Sequence, residues 1–283
     1  MSSMDNGPSE QQRDDSYELT RIPDEPKFLR KMRFKRLLFK FCGEIYVGRR
    51  VKLAYFRRLL ARLPLHERAR ILEIGSGDGV FCFDVARRLP RSSVVGLELN
   101  PIEARVCQTL AAEEHLLNLS FRAGVLSGQA PDRKYDLIYC LDVLEHITDD
   151  VELMQEMYNA LDAGGHLLIH VPNRTYQGTD GQMVSVPDEE AWRSNPGHVR
   201  QGYAPGAMAA KLAGVGFGDV EVLQTQARPI AHAHRIFARF QGFLPMRIVI
   251  LPLIDFLIWL DMKKQPEHGN TIWTWAQKPV ISC

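Results

Sequence analysis

The sequence lacks most features of a secreted or disulfide-stapled protein. Its five cysteines are scattered with no Cys-x-x-Cys pair, which argues against a disulfide framework or a zinc knuckle and fits a reducing cytosol. The net charge is only +1 over 283 residues, so bulk charge does not favour nucleic-acid binding. Residues 1–15 hold no apolar core, so we do not expect a signal peptide. The 45% hydrophobic and 24% charged residues are typical of a globular chain.

Residues 243–264 are apolar enough to suggest a membrane span, but they fall short of one. Their uninterrupted neutral part, Ile248–Ile254, is seven residues long, whereas a span needs about twenty. Asp255 follows it directly, and two prolines interrupt the segment. We therefore expect a hydrophobic insert, residues 227–270, whose helix lies on a bilayer, covers a substrate pocket, forms a dimer contact or packs against the N-terminal helices.

The near-zero net charge hides a strong asymmetry. Residues 1–26 carry seven acidic and two basic residues with little apolar bulk, which predicts a disordered tail. Residues 27–70 carry fifteen basic residues against two acidic ones. Within them, apolar residues recur every three or four positions, which predicts two amphipathic helices broken near residues 43–48, in an extension over residues 27–68. The two predicted stripes are Phe34, Leu38, Phe41 and Ile45, then Leu53, Phe56, Leu60 and Leu63.

Three environments suit such helices. They can pack on the main domain with a solvated cationic face, they can lie on anionic lipid, or they can contact nucleic acid. The sequence alone leaves these alternatives open.

From residue 69 onwards, short apolar runs alternate with amphipathic stretches. This alternation predicts a doubly wound α/β sheet with a parallel core, in a domain over residues 69–283. The predicted strands are 69–75, 92–99, 119–123, 135–141, 166–171, 219–224 and 271–277, with helices over 80–89, 101–115, 149–161 and 207–213. A loop rich in proline, glycine and asparagine is expected after residue 171.

A glycine loop, Glu73–Gly79, lies where the first predicted strand ends and a helix begins. Glycines permit positive φ and a close approach of ligand to backbone, and the helix N-terminus offers free N–H groups. Glu98 ends the second predicted strand, nineteen residues beyond Gly79. A carboxylate at that distance can accept hydrogen bonds from both hydroxyls of a ribose. The pattern therefore predicts a nucleoside-binding site.

Two kinds of nucleotide fold compete at this loop. A dinucleotide fold requires glycine or alanine at the sixth position of its fingerprint, where this chain has Val80, so a nicotinamide-dependent oxidoreductase is the alternative. The pattern Glu-x-Gly-x-Gly-x-Gly instead resembles motif I of the class I S-adenosylmethionine-dependent methyltransferases. Residues 94–101, 135–147 and 161–173 are similar to the second, fourth and fifth strand regions of the same family.

This resemblance implies a seven-stranded, mostly parallel sheet with an antiparallel last strand, and S-adenosylmethionine as cofactor across the strand ends. It places Glu98 at the ribose hydroxyls, Asp142 at the methionine end, and Glu73 in indirect support of the amino group. Val125 stands where the family often has an acid for adenine, so backbone groups near it are expected to take that role. The residues implied at the cofactor are Glu73, Gly75, Gly77, Gly79, Glu98, Val125 and Asp142.

Methyl transfer depends mainly on alignment, and it needs a base only when the acceptor carries a proton. His198 is the candidate base and Arg200 the candidate anion clamp for the acceptor, since the family often covers its acceptor pocket with this region. The alternative is that both brace the loop. His146 is interpreted as structural. No metal site is expected, because His232 and His234 have no carboxylate or thiol nearby in the sequence.

The function expected from the sequence is methyl transfer from S-adenosylmethionine to a small-molecule or lipid-like acceptor, with oxygen as the methylated atom. A non-catalytic cofactor-binding protein of the same fold is an alternative. Methylation of nucleic acid is not expected, because the chain lacks the Asn/Asp-Pro-Pro-aromatic motif and a Pro-Cys nucleophile. We expect a cytoplasmic protein whose basic helices and hydrophobic insert share one face towards an anionic membrane.

Overall fold

The computed structural model describes residues 24–126, 134–178, 182–185, 197–240, 242–264 and 266–280. The strands are β1 Arg70–Ile74, β2 Ser93–Glu98, β3 Leu119–Ala123, β4 Tyr135–Leu141, β5 Leu161–Pro172, β6 Thr175–Gln177, β7 Met183–Ser185, β8 Gly218–Thr225 and β9 Thr271–Gln277. The helices are α1 Glu25–Cys42, α2 Val47–Leu60, α3 Val80–Arg88, α4 Pro101–Glu113, α5 Asp150–Ala160, α6 Pro205–Val215, α7 Arg228–Ala238, α8 Leu244–Val249 and α9 Leu251–Lys264.

Seven strands form one sheet in the order β3-β2-β1-β4-β5-β9-β8. Strands β1 to β5 pair in parallel, and β9 pairs antiparallel with both β5 and β8. This confirms the predicted mostly parallel sheet with an antiparallel last strand. The strand order reverses between β1 and β4, and in open α/β sheets the crevice at the carboxyl ends of strands at such a point binds ligands.

Three strands, β3, β4 and β9, have the predicted bounds. Strand β5 starts at Leu161, five residues earlier than predicted. The region after it, predicted as a loop, contains a short hairpin in which β6 pairs antiparallel with β7. Threonine, tyrosine and valine occupy these two segments and favour extended backbone, so that part of the loop prediction was wrong.

The buried apolar side chains form one cluster on each face of the sheet. Helices α2, α3, α4, α7 and α9 cover one face, where Phe56 of α2 contacts the rings of Phe81, Tyr139 and Trp273 at centroid distances of 5.3, 4.9 and 6.3 Å. Helices α5 and α6 cover the other. The basic helix α2 therefore packs into the same core as the sheet.

Helices α1 and α2 are the two predicted helices, and the chain breaks between them at residues 43–46. Helix α1 begins at Glu25, with the Asp24 side chain accepting a hydrogen bond from the Lys27 N–H at 3.3 Å, so residues 25–26 of the predicted tail are helical. Residues 1–23 of that tail lie outside the described residues. Phe34 and Phe41 of the predicted apolar stripe are 54% and 76% exposed, so this stripe does not face the domain core.

A second apolar face of α1 packs on the domain. Phe28, Leu29, Met32 and Phe39 pack against the core, and Arg33 and Arg36 pair with Glu113 at the end of α4 and with Glu114 directly after it. Apolar spacing alone cannot choose between two apolar faces of one helix.

Much of the basic charge of α1 and α2 meets acidic residues of the domain. The pairs are Arg33–Glu113, Lys35–Asp78, Arg36–Glu114, Arg49–Asp78, Arg50–Asp255, Lys52–Asp142 and Arg57–Asp84. The charge asymmetry of the sequence is therefore in large part an internal interface between the N-terminal helices and the domain.

The hydrophobic insert forms α7, α8 and α9 and packs on α2. The buried carboxylate of Asp261 accepts hydrogen bonds from the Tyr55 hydroxyl at 2.8 Å and from the Gln226 and Ala227 N–H groups at 3.0 and 2.9 Å. Its outer face exposes Phe243, Val249, Leu253, Phe256 and Trp259. Among the residues described, no helix combines the length and apolar character needed to cross a bilayer.

Replacing Phe56 by alanine tests whether α2 is part of the domain core. Because the Phe56 side chain is 0% exposed and contacts three aromatic rings, Phe56→Ala should lower the free energy of unfolding by about 3–5 kcal/mol. Urea denaturation measures the loss. Leu117→Ala, at a position that is 99% exposed, should change it by less than about 0.5 kcal/mol. A Phe56→Ala loss below about 1 kcal/mol would contradict the packing.

Candidate functional site

A cavity of about 750 Å³ lies at the carboxyl ends of β1 to β4, at the point where the strand order reverses. Its walls come from the segments that follow each of these strands. They include Gly75, Gly77, Glu98, Leu99, Val125, Asp142 and His146, together with residues 147–149 before α5. Five of the seven residues predicted at the cofactor thus line one cavity, and these are Gly75, Gly77, Glu98, Val125 and Asp142.

The glycine loop between β1 and α3 is held against β2. The Gly75 and Ser76 N–H groups donate to the Leu97 carbonyl at 2.8 and 3.0 Å. Gly75, Gly77 and Gly79 have φ of 70°, 49° and 72°, values that side-chain-bearing residues rarely adopt.

The three glycines serve different needs. A Cβ on Gly75 would lie 2.4 Å from Val143, and one on Gly79 would lie 2.8 Å from Phe121. Neighbouring side chains therefore leave no room for a side chain at either position. A Cβ on Gly77 would meet no atom of the described residues within 4 Å, and Gly77 lines the cavity. Gly79 is not among the cavity-lining residues, and its left-handed backbone caps the start of α3.

Glu98 is fixed at the end of β2. One carboxylate oxygen accepts a hydrogen bond from the Gly77 N–H at 2.7 Å, and the other accepts from the Asn100 N–H at 3.0 Å. These bonds orient a carboxylate towards the cavity and still leave acceptor capacity for a ligand.

Glu73 lies beneath the loop and outside the cavity lining. It is 2% exposed and accepts hydrogen bonds from the Cys82 N–H and the Tyr139 hydroxyl, both at 3.1 Å. Burial raises its pKa to about 8, although these hydrogen bonds oppose the rise. Glu73 therefore braces the start of α3, which agrees with an indirect role.

Two apolar side chains form a further part of the cavity wall. Leu99 and Val125 line it and are 57% and 53% exposed. No acidic side chain stands at position 125, so an adenine ring would meet apolar surface and the nearby backbone. Residues 127–133, which follow this wall, lie outside the described residues.

Asp142, directly after β4, joins the cavity to the N-terminal helices. It has a φ of 54°. The His170 Nδ1–H on β5 donates to its Oδ1 at 2.6 Å, and Lys52 of α2 forms an ion pair with its Oδ2. Burial opposes ionisation, yet His170 and Lys52 hold the pKa of Asp142 well below its usual range. The carboxylate is therefore ionised and pinned on both sides.

Arg200, predicted as an anion clamp, is held within the protein. Its guanidinium donates to the backbone carbonyls of Leu144, Ile147 and Thr148 at 2.6–2.9 Å and to the Tyr203 hydroxyl at 2.9 Å. This arrangement favours the alternative, in which Arg200 braces the turn after β4.

The structure brings His198 against that same turn. Its ring lies 4.6 Å from the ring of His146, edge to face. Burial and the neighbouring His146 lower the pKa of His198, so the ring is neutral at pH 7. Donor atoms of Glu145, His146 and His198 all lie within 4.8 Å of one another. Sequence reasoning missed this cluster because His198 is distant in the chain, although Glu145 and His146 are adjacent in it.

The cavity fits S-adenosylmethionine. Gly77 leaves open space, Glu98 offers a fixed carboxylate for ribose hydroxyls, and Asp142 offers an ionised carboxylate at the opposite end. A family model described as a methyltransferase domain matches residues 47–222. The chain belongs to this family of class I methyltransferase domains. Its cofactor is S-adenosylmethionine.

Curated relatives agree with the family. Over 144 residues the chain is 33% identical to a trans-aconitate 2-methyltransferase of Variovorax paradoxus, covering 50% of this chain and 54% of that protein. Over 107 residues it is 30% identical to a malonyl-[acyl-carrier protein] O-methyltransferase of Ilyobacter polytropus, covering 38% and 39%. The chain therefore matches about half or less of the length of these relatives.

A solved structure shows the same fold over nearly the whole chain. It is described as a putative sarcosine dimethylglycine methyltransferase from Galdieria sulphuraria, with a TM-score of 0.58 and 16% identity, and it covers 91% of this chain and 99% of that one. At this identity the likeness establishes the fold alone.

Replacing Gly77 by alanine tests the cavity as the cofactor site. The added methyl group meets open space in the protein but strains a left-handed backbone position; the chain should still fold, with the methyl beside the cavity that Gly77 lines. We expect the affinity for S-adenosylhomocysteine, the reaction product, to fall by about tenfold or more, since overpacking costs roughly 1–3 kcal/mol. Calorimetric titration measures the change.

Gly242→Ala, between α7 and α8, is the matched control, because its φ of 89° is also left-handed and a Cβ there also meets no described atom within 4 Å. It should leave the affinity unchanged. Equal affinities of wild type and Gly77→Ala would place the ligand elsewhere.

Proposed function

We propose that the protein transfers a methyl group from S-adenosylmethionine to an oxygen atom of a small-molecule or lipid-like acceptor. The observation that carries the proposal is the single cavity in which Gly77, Glu98 and Asp142 surround the space for one nucleoside and its amino-acid tail. When bound there, S-adenosylmethionine supplies a methyl group on a sulfonium that leaves as a neutral thioether, so no acid is needed for the leaving group.

The acceptor site is proposed to lie beside Asp142, where one cationic and two imidazole side chains come together. Lys52 approaches from α2, His146 from the turn after β4, and His198 from the segment before α6. A cation and two imidazoles suit an acceptor that presents oxygen, as a carboxylate or a hydroxyl. The names of the two curated relatives, one a trans-aconitate and one a malonyl-[acyl-carrier protein] O-methyltransferase, support a small oxygen acceptor.

His198 is the proposed contact to the acceptor oxygen. Its Nδ1 is buried without a hydrogen-bond partner among the described residues, and its lowered pKa keeps the ring neutral. A neutral imidazole can accept a proton from a hydroxyl. Arg200 would act at a distance, by holding the turn that carries His146.

A non-catalytic cofactor-binding protein would have the same cavity. A turnover assay therefore distinguishes a methyltransferase from such a protein. We expect the purified chain to move labelled methyl groups from S-adenosylmethionine to small acids such as trans-aconitate or to a lipid extract. Release of the label as methanol by mild base identifies an ester, whereas an ether retains it.

Glu98→Ala tests whether transfer depends on this cavity. It should lower transfer at low cofactor concentration by about ten- to a hundredfold, because it removes charge-assisted hydrogen bonds worth about 1.5–3 kcal/mol. Tight product binding without transfer to acids, lipid extracts or RNA would favour the non-catalytic alternative.

We further propose that the protein works at an anionic membrane surface. Phe34, Leu37 and Phe41 lie three and four residues apart on α1 and are more than half exposed. A groove of about 310 Å³ connects α1 to α8, and its walls include Lys31, Lys35, Arg49 and Arg247. Ion pairing between Arg50 and Asp255 holds α9 against α2.

The exposed apolar residues of the insert extend this surface, and the rings of Phe256 and Trp259 stack at 5.8 Å on it. Apolar side chains rimmed by cations are typical of helices that lie in the interface of an anionic bilayer.

Co-sedimentation with vesicles tests the membrane proposal. The chain should pellet with phosphatidylglycerol vesicles at low salt, and less with high salt or neutral vesicles, because screening weakens the attraction of cations. The double change Phe256→Ser with Trp259→Ser should reduce pelleting by about fivefold or more.

Leu117→Ser is the matched control, since it removes an exposed apolar side chain away from this surface. Failure of the wild type to pellet with either vesicle would end the membrane proposal and leave the methyltransferase proposal intact.

A further inference from the structure

Beside the cofactor cavity, the turn after β4 presents one carboxylate and two imidazoles that the family assignment does not use. Glu145 and His146 lie in the single helical turn Leu144–His146. His198 reaches them from the segment before α6, where the Val199 N–H donates to the Glu145 carbonyl at 2.9 Å. Donor atoms of the three side chains lie within 4.8 Å of one another.

The state of these donors points to a missing partner. Glu145 is 1% exposed, and its Oε2 has no hydrogen-bond partner among the described residues. The His198 Nδ1 is likewise buried and unpartnered within the described part of the chain. Burying a carboxylate oxygen and an imidazole nitrogen without partners is unfavourable, so a site that leaves both in this state calls for a ligand that satisfies them together.

The ring of His146 is held in an orientation that is typical of metal-binding histidines. Its Nδ1 lies 3.0 Å from the Gly197 carbonyl oxygen, which can only accept, so Nδ1 carries the proton. In the neutral ring the lone pair is then on the other nitrogen, Nε2. Metal-binding histidines are commonly held in this way, with the second nitrogen donating to a backbone carbonyl that fixes the tautomer.

We infer that Glu145, His146 and His198 form a binding site for a divalent transition-metal cation, with open positions facing the cofactor cavity that His146 lines. Two imidazoles and one carboxylate suit ions such as Co²⁺, Mn²⁺, Fe²⁺ or Zn²⁺ more than Mg²⁺. At bond lengths of about 2.1 Å, the bound donors would draw together to roughly 3–3.5 Å. Side-chain rotations can supply that movement.

The role of the cation follows from its place, and this step rests on the proposed function. Its open positions would hold the acceptor oxygen next to Asp142, and a divalent cation lowers the pKa of a bound hydroxyl or orients a bound carboxylate. His198 then acts as a ligand, and the acceptor proton leaves to solvent. The acceptor would then be a molecule whose oxygen atoms can bind a metal, such as a hydroxy acid, a polycarboxylate or a catechol.

Titration of the chelator-treated full chain with Co²⁺ tests the site directly, because visible absorption of the ion reports nitrogen and oxygen ligands without any turnover. We expect one Co²⁺ per chain. Glu145→Gln keeps the shape of the side chain, and His198→Ala changes a half-buried one. Each should weaken Co²⁺ binding by roughly a hundredfold or more, since the loss of groups that merely orient ligands costs 10–100-fold.

His232→Ala is the matched control, as it removes an exposed imidazole on α7, and it should leave Co²⁺ binding unchanged. Calorimetry with S-adenosylhomocysteine on the same samples shows whether each variant is folded with an intact cofactor cavity. Product binding by the wild type without Co²⁺ binding, or equal Co²⁺ binding by wild type and His198→Ala, would overturn the metal site and spare the proposed function. Loss of product binding in the wild type would instead overturn the proposed function.

Discussion

The site depends on the carboxylate of Asp142 and its two partners. Asp142 ends β4 in a left-handed conformation, His170 of β5 donates to one of its oxygens, and Lys52 of α2 pairs with the other. A buried ionised carboxylate needs such partners, because an unpaired one would be strongly unfavourable. One residue thereby links two neighbouring strand ends to helix α2.

This link gives the basic N-terminal helices a structural role. Arg33, Arg36 and Arg57 each pair with acidic residues of α3 or α4, and Phe56 inserts among the rings of the sheet core. The helices therefore form one wall of the domain. Only the cations and aromatic side chains that remain exposed on α1, α8 and α9 can contact an external surface such as a membrane.

Local patterns were sufficient to predict most of the fold. Alternating apolar runs placed β3, β4 and β9 at their observed bounds, because strand ends coincide with turn residues. The glycine loop and Glu98 could be assigned to one cavity for the same reason, since parallel strands end at one edge of a sheet. Family resemblance added Asp142, which the cavity also contains.

What sequence reasoning missed is non-local. The face of α1 that packs on the domain meets distant core residues together with Glu113 and Glu114, and the bracing role of Arg200 depends on carbonyls from residues 144–148. The approach of His198 to Glu145 and His146 joins segments that are distant in the chain. No periodicity or motif spacing encodes such contacts, so only the three-dimensional arrangement shows them.

We propose that the crevice between β1 and β4 holds S-adenosylmethionine with Glu98 at one end and Asp142 at the other. A crystal structure of the chain with S-adenosylhomocysteine tests this binding mode most directly. We expect ribose hydroxyls within hydrogen-bond distance of the Glu98 carboxylate and the amino-acid tail on the side of Gly75 and Asp142. Occupancy of any other cavity, or a ribose that does not contact Glu98, would contradict it.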